Sequence, residues 1–209
     1  MGEARITVLV ENTAGGRGLP GEHGLSFWIE LGSRRILFDT GQSDILSHNA
    51  PILGIDLREA DALALSHGHY DHVGGLKKVL ELAPGIPVYL HLRALEEKFT
   101  CRDQQSRSIG MEREMAQVLD RRIHDGLGSF IDGPVEILPG VWTTGVIPRK
   151  SAFEDTSRVR VAHTIMALCR HNVQRIGLAH CTGQEASVGL QDALPDKCFV
   201  CNVRTQIVL

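Results

Sequence analysis

Between Ser66 and Gly75 the chain reads Ser-His-Gly-His-Tyr-Asp-His-Val-Gly-Gly. Four side chains able to bind a metal, His67, His69, Asp71 and His72, fall within six residues. Along an extended segment successive side chains alternate, so His67 and His69 point to one side. As the chain turns, Asp71 and His72 can face a second position. Imidazole and carboxylate suit Zn²⁺, and also Fe or Mn. Gly68, Gly74 and Gly75 are expected to supply the unusual backbone angles of a tight turn. A single His here would read as part of a solvated polar loop. Four spaced ligands directly after an apolar run fit that reading poorly.

The apolar run is Ala62 to Ser66, a short buried strand by its composition. Upstream, Ile6 to Val10 is β-branched and reads as a first strand. Asn12 to Gly24 is a Gly-rich loop. Leu25 to Leu31 and Arg34 to Phe38 form a hairpin turning at Gly32-Ser33, whose second strand ends at Asp39-Thr40-Gly41. Helical character is expected for Asp44 to Leu53, Asp56 to Ala60, Gly75 to Leu82, Ala94 to Phe99, Val161 to Arg170 and Glu185 to Ala193. It is weak near Met111 to Leu119, inside the polar stretch from Cys101 to Arg122. Pro87 to His91, Val135 to Leu138, Val141 to Val146, Ile176 to Ala179 and Cys198 to Val208 have strand character. Strands and helices alternate without repeat or clear linker, which predicts an α/β or layered α+β domain spanning residues 1–209.

The chain has 209 residues, 43% hydrophobic and 22% charged, which is ample for a core and excludes intrinsic disorder. A net charge of -3 without a basic run argues against a nucleic-acid partner, and hence against a nuclease. The expected partner is a small-molecule substrate. Five cysteines, odd in number and widely spread, make a poor disulfide framework and suit a reducing compartment. No basic start with an apolar stretch precedes the first strand, and no apolar run approaches a membrane span. A cytoplasmic protein is therefore expected. Cys198 and Cys201 form a lone CxxC and are read as strand residues. Cys181 is read as a small buried thiol.

The HxHxDH pattern after an apolar strand resembles the signature of the metallo-β-lactamase superfamily. That resemblance implies an αββα sandwich and metal-dependent hydrolysis. Leu37-Phe38-Asp39-Thr40-Gly41 matches the superfamily's second signature, which implies that Asp39 orients the metal-binding loop without itself ligating. Glu22 to Ser26, Ser66 to Leu76, Gly145 to Arg149 and His180-Cys181-Thr182-Gly183 resemble the 7,8-dihydropterin-6-methyl-4-(β-D-ribofuranosyl)-aminobenzene-5′-phosphate synthase group. By this resemblance His67 and His69 hold a first metal, and Asp71, His72 and His180 a second. The position of His180, after a short apolar strand and before Gly183, agrees.

The chain departs from that group in one respect. The relatives carry a Gly-Cys-Ser/Ala-His-Ala-Gly motif that gives the first metal a third ligand, and a Gly-Gly-Phe-His-Leu-like segment after it. Here Phe153-Glu154 passes through Asp155 to Arg160 straight into Val161-Ala162-His163-Thr164. The second half is thus expected to be shortened, or to lack a segment near 154–161. One zinc ion is expected in the chain as given, and two if that segment exists. His163, at the start of a helix, is disfavoured as a substitute ligand. The expected activity is hydrolysis by a metal-bound hydroxide of a small, phosphorylated or cyclic, substrate. The alternative is a non-catalytic metal- or ligand-binding member of the same fold. Asp71 is the expected catalytic residue, ligating metal and orienting water. His23 could contact substrate or be a plain loop His. Arg149 could pair with a substrate phosphate or be solvated.

Overall fold

The computed structural model describes residues 3–102, 105–146 and 161–209. Arg149, and the junction from Glu154 to Arg160, lie outside the described residues. So does the side chain of His163. Two compact units are present: Met1–Val146 with Asn202–Leu209, and Ile147–Cys201. No helix among the described residues is long and apolar enough to cross a membrane.

The first unit is built on a seven-stranded sheet. In chain order its elements are β1 (Ala4–Val10), β2 (Ser26–Leu31), β3 (Arg34–Phe38), α1 (Ile45–Ile52), β4 (Ala62–Ala64), α2 (Tyr70–Val73), α3 (Leu76–Leu82) and β5 (Val88–Leu90). There follow β6 (Phe99–Arg102), β7 (Gln105–Ser108), α4 (Arg113–His124), β8 (Gly128–Phe130), β9 (Val135–Leu138) and β10 (Val141–Thr143). The second unit holds α5 (Val161–Arg170), β11 (Ile176–Leu178), α6 (Gln184–Ala193) and β12 (Cys198–Val200), with β11 and β12 pairing in parallel. The chain then returns to the first unit as β13 (Gln206–Val208).

The sheet order is β13-β1-β2-β3-β4-β5-β8. The first four strands pair antiparallel, and β3, β4, β5 and β8 run parallel. Both faces are covered. Leu37 of β3, Leu63 of β4 and Val88 of β5 pack with Leu46 of α1, Leu76 and Val79 of α3 and Leu119 of α4. On the opposite face Ile36 and Phe38 of β3, with Ala64 and Tyr89, meet Ile137, Leu138 and Val141 of the β9–β10 hairpin. Successive side chains of β3 thus enter different apolar layers, which is why Ile36-Leu37-Phe38 is a continuous apolar run. The large mixed sheet with helices agrees with the predicted fold class.

Three segments depart from expectation. Ala94 to Phe99 is not an α-helix: a 3₁₀ turn, Leu92–Leu95, gives way to β6. Lys98 Nζ donates to the carbonyls of Arg93, Ala94 and Glu96 and closes that turn. Phe99-Thr100-Cys101 then has the aromatic and β-branched character of a strand. The β6–β7 hairpin lies in the stretch expected to be merely polar. All four residues of β7 are exposed, so no apolar alternation marked it. Cys198 to Val208 is two strands rather than one, broken where Asn202 N–H donates to Thr205 Oγ1 at 3.0 Å and Arg204 adopts φ 82°.

Candidate metal centre

Because β3 and β4 are parallel, their carboxyl ends reach the same sheet edge, where open α/β sheets place their ligands. Asp39 is the residue after β3, and Ser66 to His72 follow β4. Asp39 N–H donates to the Ala64 carbonyl at 3.0 Å, and Ser26 Oγ donates to the Asp39 carbonyl at 2.8 Å. Asp39 has φ 56°, a left-handed conformation that Asp tolerates better than most residues. Its side chain is fully buried.

That buried carboxylate gathers three donors. Oδ1 accepts from the Ser66 N–H at 2.8 Å. Oδ2 accepts from Ser66 Oγ at 2.6 Å and from His72 Nδ1 at 2.7 Å. The consequence is a fixed pair of tautomers. His72 carries its proton on Nδ1, so Nε2 presents a lone pair toward the side where Asp71 Oδ2 stands 3.8 Å away. The one Ser66 hydroxyl proton goes to the carboxylate. Toward His67 Nδ1, at 2.9 Å, that hydroxyl is therefore the acceptor. His67 in turn presents the lone pair of Nε2.

His67 and His69 face each other as expected, with Nε2 of the first 2.9 Å from Nδ1 of the second. The His67 ring centroid lies 4.4 Å from that of His69 and 4.1 Å from that of His72. Burial pushes the His67 imidazole down to about 4, helped by the like charges of His72 and His69 and opposed by Asp39 and Asp71. His69 is also lowered, again first by burial, with Asp71 opposing. Imidazoles held neutral are imidazoles ready to ligate.

Asp71 and His72 sit on the single turn α2, nearly buried at 7% and 2% exposure. Thr40 N–H donates to the His72 carbonyl at 2.7 Å, and Leu25 N–H to the Asp71 carbonyl at 3.2 Å, tying α2 to the loops after β3 and before β2. His23 Nε2 lies 3.4 Å from Asp71 Oδ2, its side chain 59% exposed. The glycine expectation needs correction. Gly74 and Gly75 have ordinary right-handed φ values of -65° and -79°, and Gly68 has no positive φ. What requires glycine is close approach. A Cβ at Gly68 would strike the Ala94 carbonyl, and one at Gly74 the Gln42 carbonyl.

The structure thus brings His67, His69, Asp71, His72, Asp39 and His23 together. His180 opens a 3₁₀ turn, His180–Thr182, after β11 in the second unit. Cys181 is exposed rather than buried, on the 3₁₀ turn that follows β11. Cys198 lies in β12, its thiol donating to the Leu190 carbonyl, while Cys201 is buried just beyond the strand. Two contributors went unassigned from sequence. Ser66 joins Asp39, His67 and His72, and its place directly before the HxHxDH stretch was the available signal. Glu22 accepts from Gln42 N–H, Ser43 N–H and Ser43 Oγ at 3.0, 3.1 and 2.6 Å, holding the loop that follows Asp39.

The donor set fits a divalent ion: the buried His72, the half-buried His67 and His69, and the Asp71 carboxylate beside them.

Comparison with known proteins agrees. An uncharacterized protein of Methanocaldococcus jannaschii is 34% identical over 151 residues, covering 71% of this chain and 56% of its own. The 7,8-dihydropterin-6-methyl-4-(beta-D-ribofuranosyl)-aminobenzene-5'-phosphate synthase of the same organism is 30% identical over 132 residues, 60% of this chain and 44% of its own. The chain therefore spans about half the length of these curated relatives. A solved metal-dependent hydrolase of the β-lactamase superfamily shares the fold with a TM-score of 0.73 and 24% identity, over 98% of each chain. The profile of the metallo-beta-lactamase superfamily matches residues 19–151, and with the HxHxDH loop and its buried Asp39 in place, the chain belongs to that superfamily.

Proposed function

We propose that this protein is a metal-dependent hydrolase of a small, phosphorylated or cyclic, molecule. The carrying observation is the orientation of the donors. His67 Nε2 meets His69 Nδ1 at 2.9 Å, and His72 is pinned through Nδ1 so that Nε2 faces Asp71. His67 and His69 would hold one ion, and Asp71 and His72 a second. Zinc suits this set, and Fe or Mn are compatible. A bound divalent ion acidifies a water molecule and polarises the substrate oxygen under attack.

The protein's own groups do the rest. Asp71, a carboxylate between His72 and His23, would orient the attacking water and accept its hydrogen bond. His23, more exposed, can contact substrate at the mouth of the site. Asp39 and Ser66 keep the imidazoles from turning. The test is elemental analysis of purified protein together with hydrolysis of bis(p-nitrophenyl) phosphate. Asp71→Ala and His72→Ala should each lose metal and activity. Unchanged metal content in both variants would overturn the assignment.

A further inference from the structure

The first unit contains a cleft of about 590 Å³, within the range that accommodates small molecules. From the metal-binding loop it is lined by His69, Tyr70 and Asp71, and from the β6–β7 hairpin by Thr100, Gln105 and Arg107. The hairpin is fastened to that loop at its root. Tyr70 N–H donates to the Ile109 carbonyl at 3.0 Å, and His69 bridges Gly110 in antiparallel fashion. Ile109 N–H in turn donates to the Lys98 carbonyl at 2.8 Å, just before β6.

Strand periodicity decides which side chains face the cleft. Gln105 and Arg107 are two apart in β7 and share a face. Thr100 of β6 is the register partner of Arg107, so it lies on the same face. All three line the cleft, and Ser106 and Ser108 do not. The Arg107 guanidinium carbon lies 5.8 Å from the centroid of the Tyr70 ring, a cation–π distance that holds the planar group beside the metal-binding loop. Among the described residues no carboxylate pairs with Arg107, unlike Arg58, Arg93 and Arg35.

We propose that the β6–β7 hairpin is the substrate-recognition element and that Arg107, with Thr100 and Gln105 beside it, binds a phosphoryl group of the substrate. This rests on the hydrolase reading above and names its substrate class. A guanidinium with no carboxylate partner among the described residues, stacked in place and flanked by a hydroxyl and an amide, offers several convergent donors. A tetrahedral oxyanion has the oxygens to accept them all. The hairpin thereby sets specificity, while the metal-binding loop carries the reaction.

The experiment titrates the full chain with phenylphosphonate and, separately, with benzoate by calorimetry. It uses wild type, Arg107→Gln and Arg107→Lys, each metal-free and zinc-loaded. Zinc affinity is measured in parallel by competition with a chromogenic chelator. Phenylphosphonate should bind wild type, and Arg107→Gln should weaken it by about tenfold or more. Arg107→Lys should recover only part, because it keeps the charge and loses the fork. Zinc affinity should be the same in all three proteins. Phenylphosphonate that fails to bind, or binds equally without Arg107 in both metal states, would overturn the proposal, as would benzoate binding equally well. Failure of wild type to take up zinc would instead refute the metal reading, with the effect of Arg107 still scored on the metal-free protein.

Discussion

Replacing Asp39 with Asn removes one charge and one acceptor from a buried cluster while preserving its shape. The backbone tolerates the change, because Asn, like Asp, adopts the left-handed conformation seen at φ 56°. The carboxylate now accepts from Ser66 N–H, Ser66 Oγ and His72 Nδ1. An amide satisfies this set in neither orientation. With its oxygen at the Oδ2 position, its NH₂ confronts the Ser66 N–H, leaving a buried donor unmet at a cost of about 1–3 kcal/mol. With its NH₂ at that position, His72 must accept at Nδ1 and carry its proton on Nε2, which removes the ligating lone pair. In both cases charge-assisted bonds become neutral ones of about half the strength. Zinc affinity should fall by about 10–100-fold, or about 1.4–2.7 kcal/mol, while the protein stays folded. A competition titration against a chromogenic chelator measures the loss, and nitrogen-detected NMR of His72 reads the tautomer. A folded variant with wild-type zinc affinity and a Nδ1-protonated His72 would refute the reasoning.

Two further outcomes are expected. Gly68→Ala pushes a methyl group against the Ala94 carbonyl, so it should destabilise the fold by about 1–3 kcal/mol and weaken zinc binding, as read by urea midpoints and chelator competition. The metal-free protein should lose stability as pH falls. His67 takes its proton near 6.5 when unfolded but only at about 4 when folded, so between those values the unfolded chain binds more protons. The loss should grow through that window and level off below it. Urea midpoints measured across the window should have a smaller pH slope in His67→Gln than in wild type, and equal slopes would show that His67 is not the group responsible.

The elements that build the site were legible because burial leaves a pattern. Ala62 to Ala64 and Ile36 to Phe38 are apolar for a reason the structure shows: each strand contributes to the packed layers on the two faces of the sheet. The HxHxDH stretch was legible because ligand chemistry restricts residue type. The β6–β7 hairpin was not, since its second strand is exposed throughout and is held by backbone bonds that any sequence can make. Gly68 was recognised as necessary for the wrong reason. Sequence shows that a residue must be small, and only the fold shows whether an angle or a neighbouring carbonyl demands it. The place of Arg107 depends on a strand pairing and on the Tyr70 ring, neither of which has a local signature.

The accuracy of the centre follows from one register. Phe38 is paired with Ala64 across the parallel β3–β4 ladder, and the next step of that ladder is the Asp39 N–H to the Ala64 carbonyl. Two residues further along β4's exit, Ser66 N–H reaches Oδ1 of the Asp39 carboxylate, and His72, 33 residues away from Asp39 in sequence, is caught by the other oxygen, Oδ2. A slip of β4 by one residue would turn Leu63 from the helical layer to the hairpin layer, and every side chain after it would reverse. That slip is opposed by the burial of Leu63 and Ala64 on opposite faces, an energy gained far from any ligand atom. The geometry of the imidazoles is therefore set by apolar packing of the sheet, and the polar bonds of Asp39 transmit that setting to the ring nitrogens.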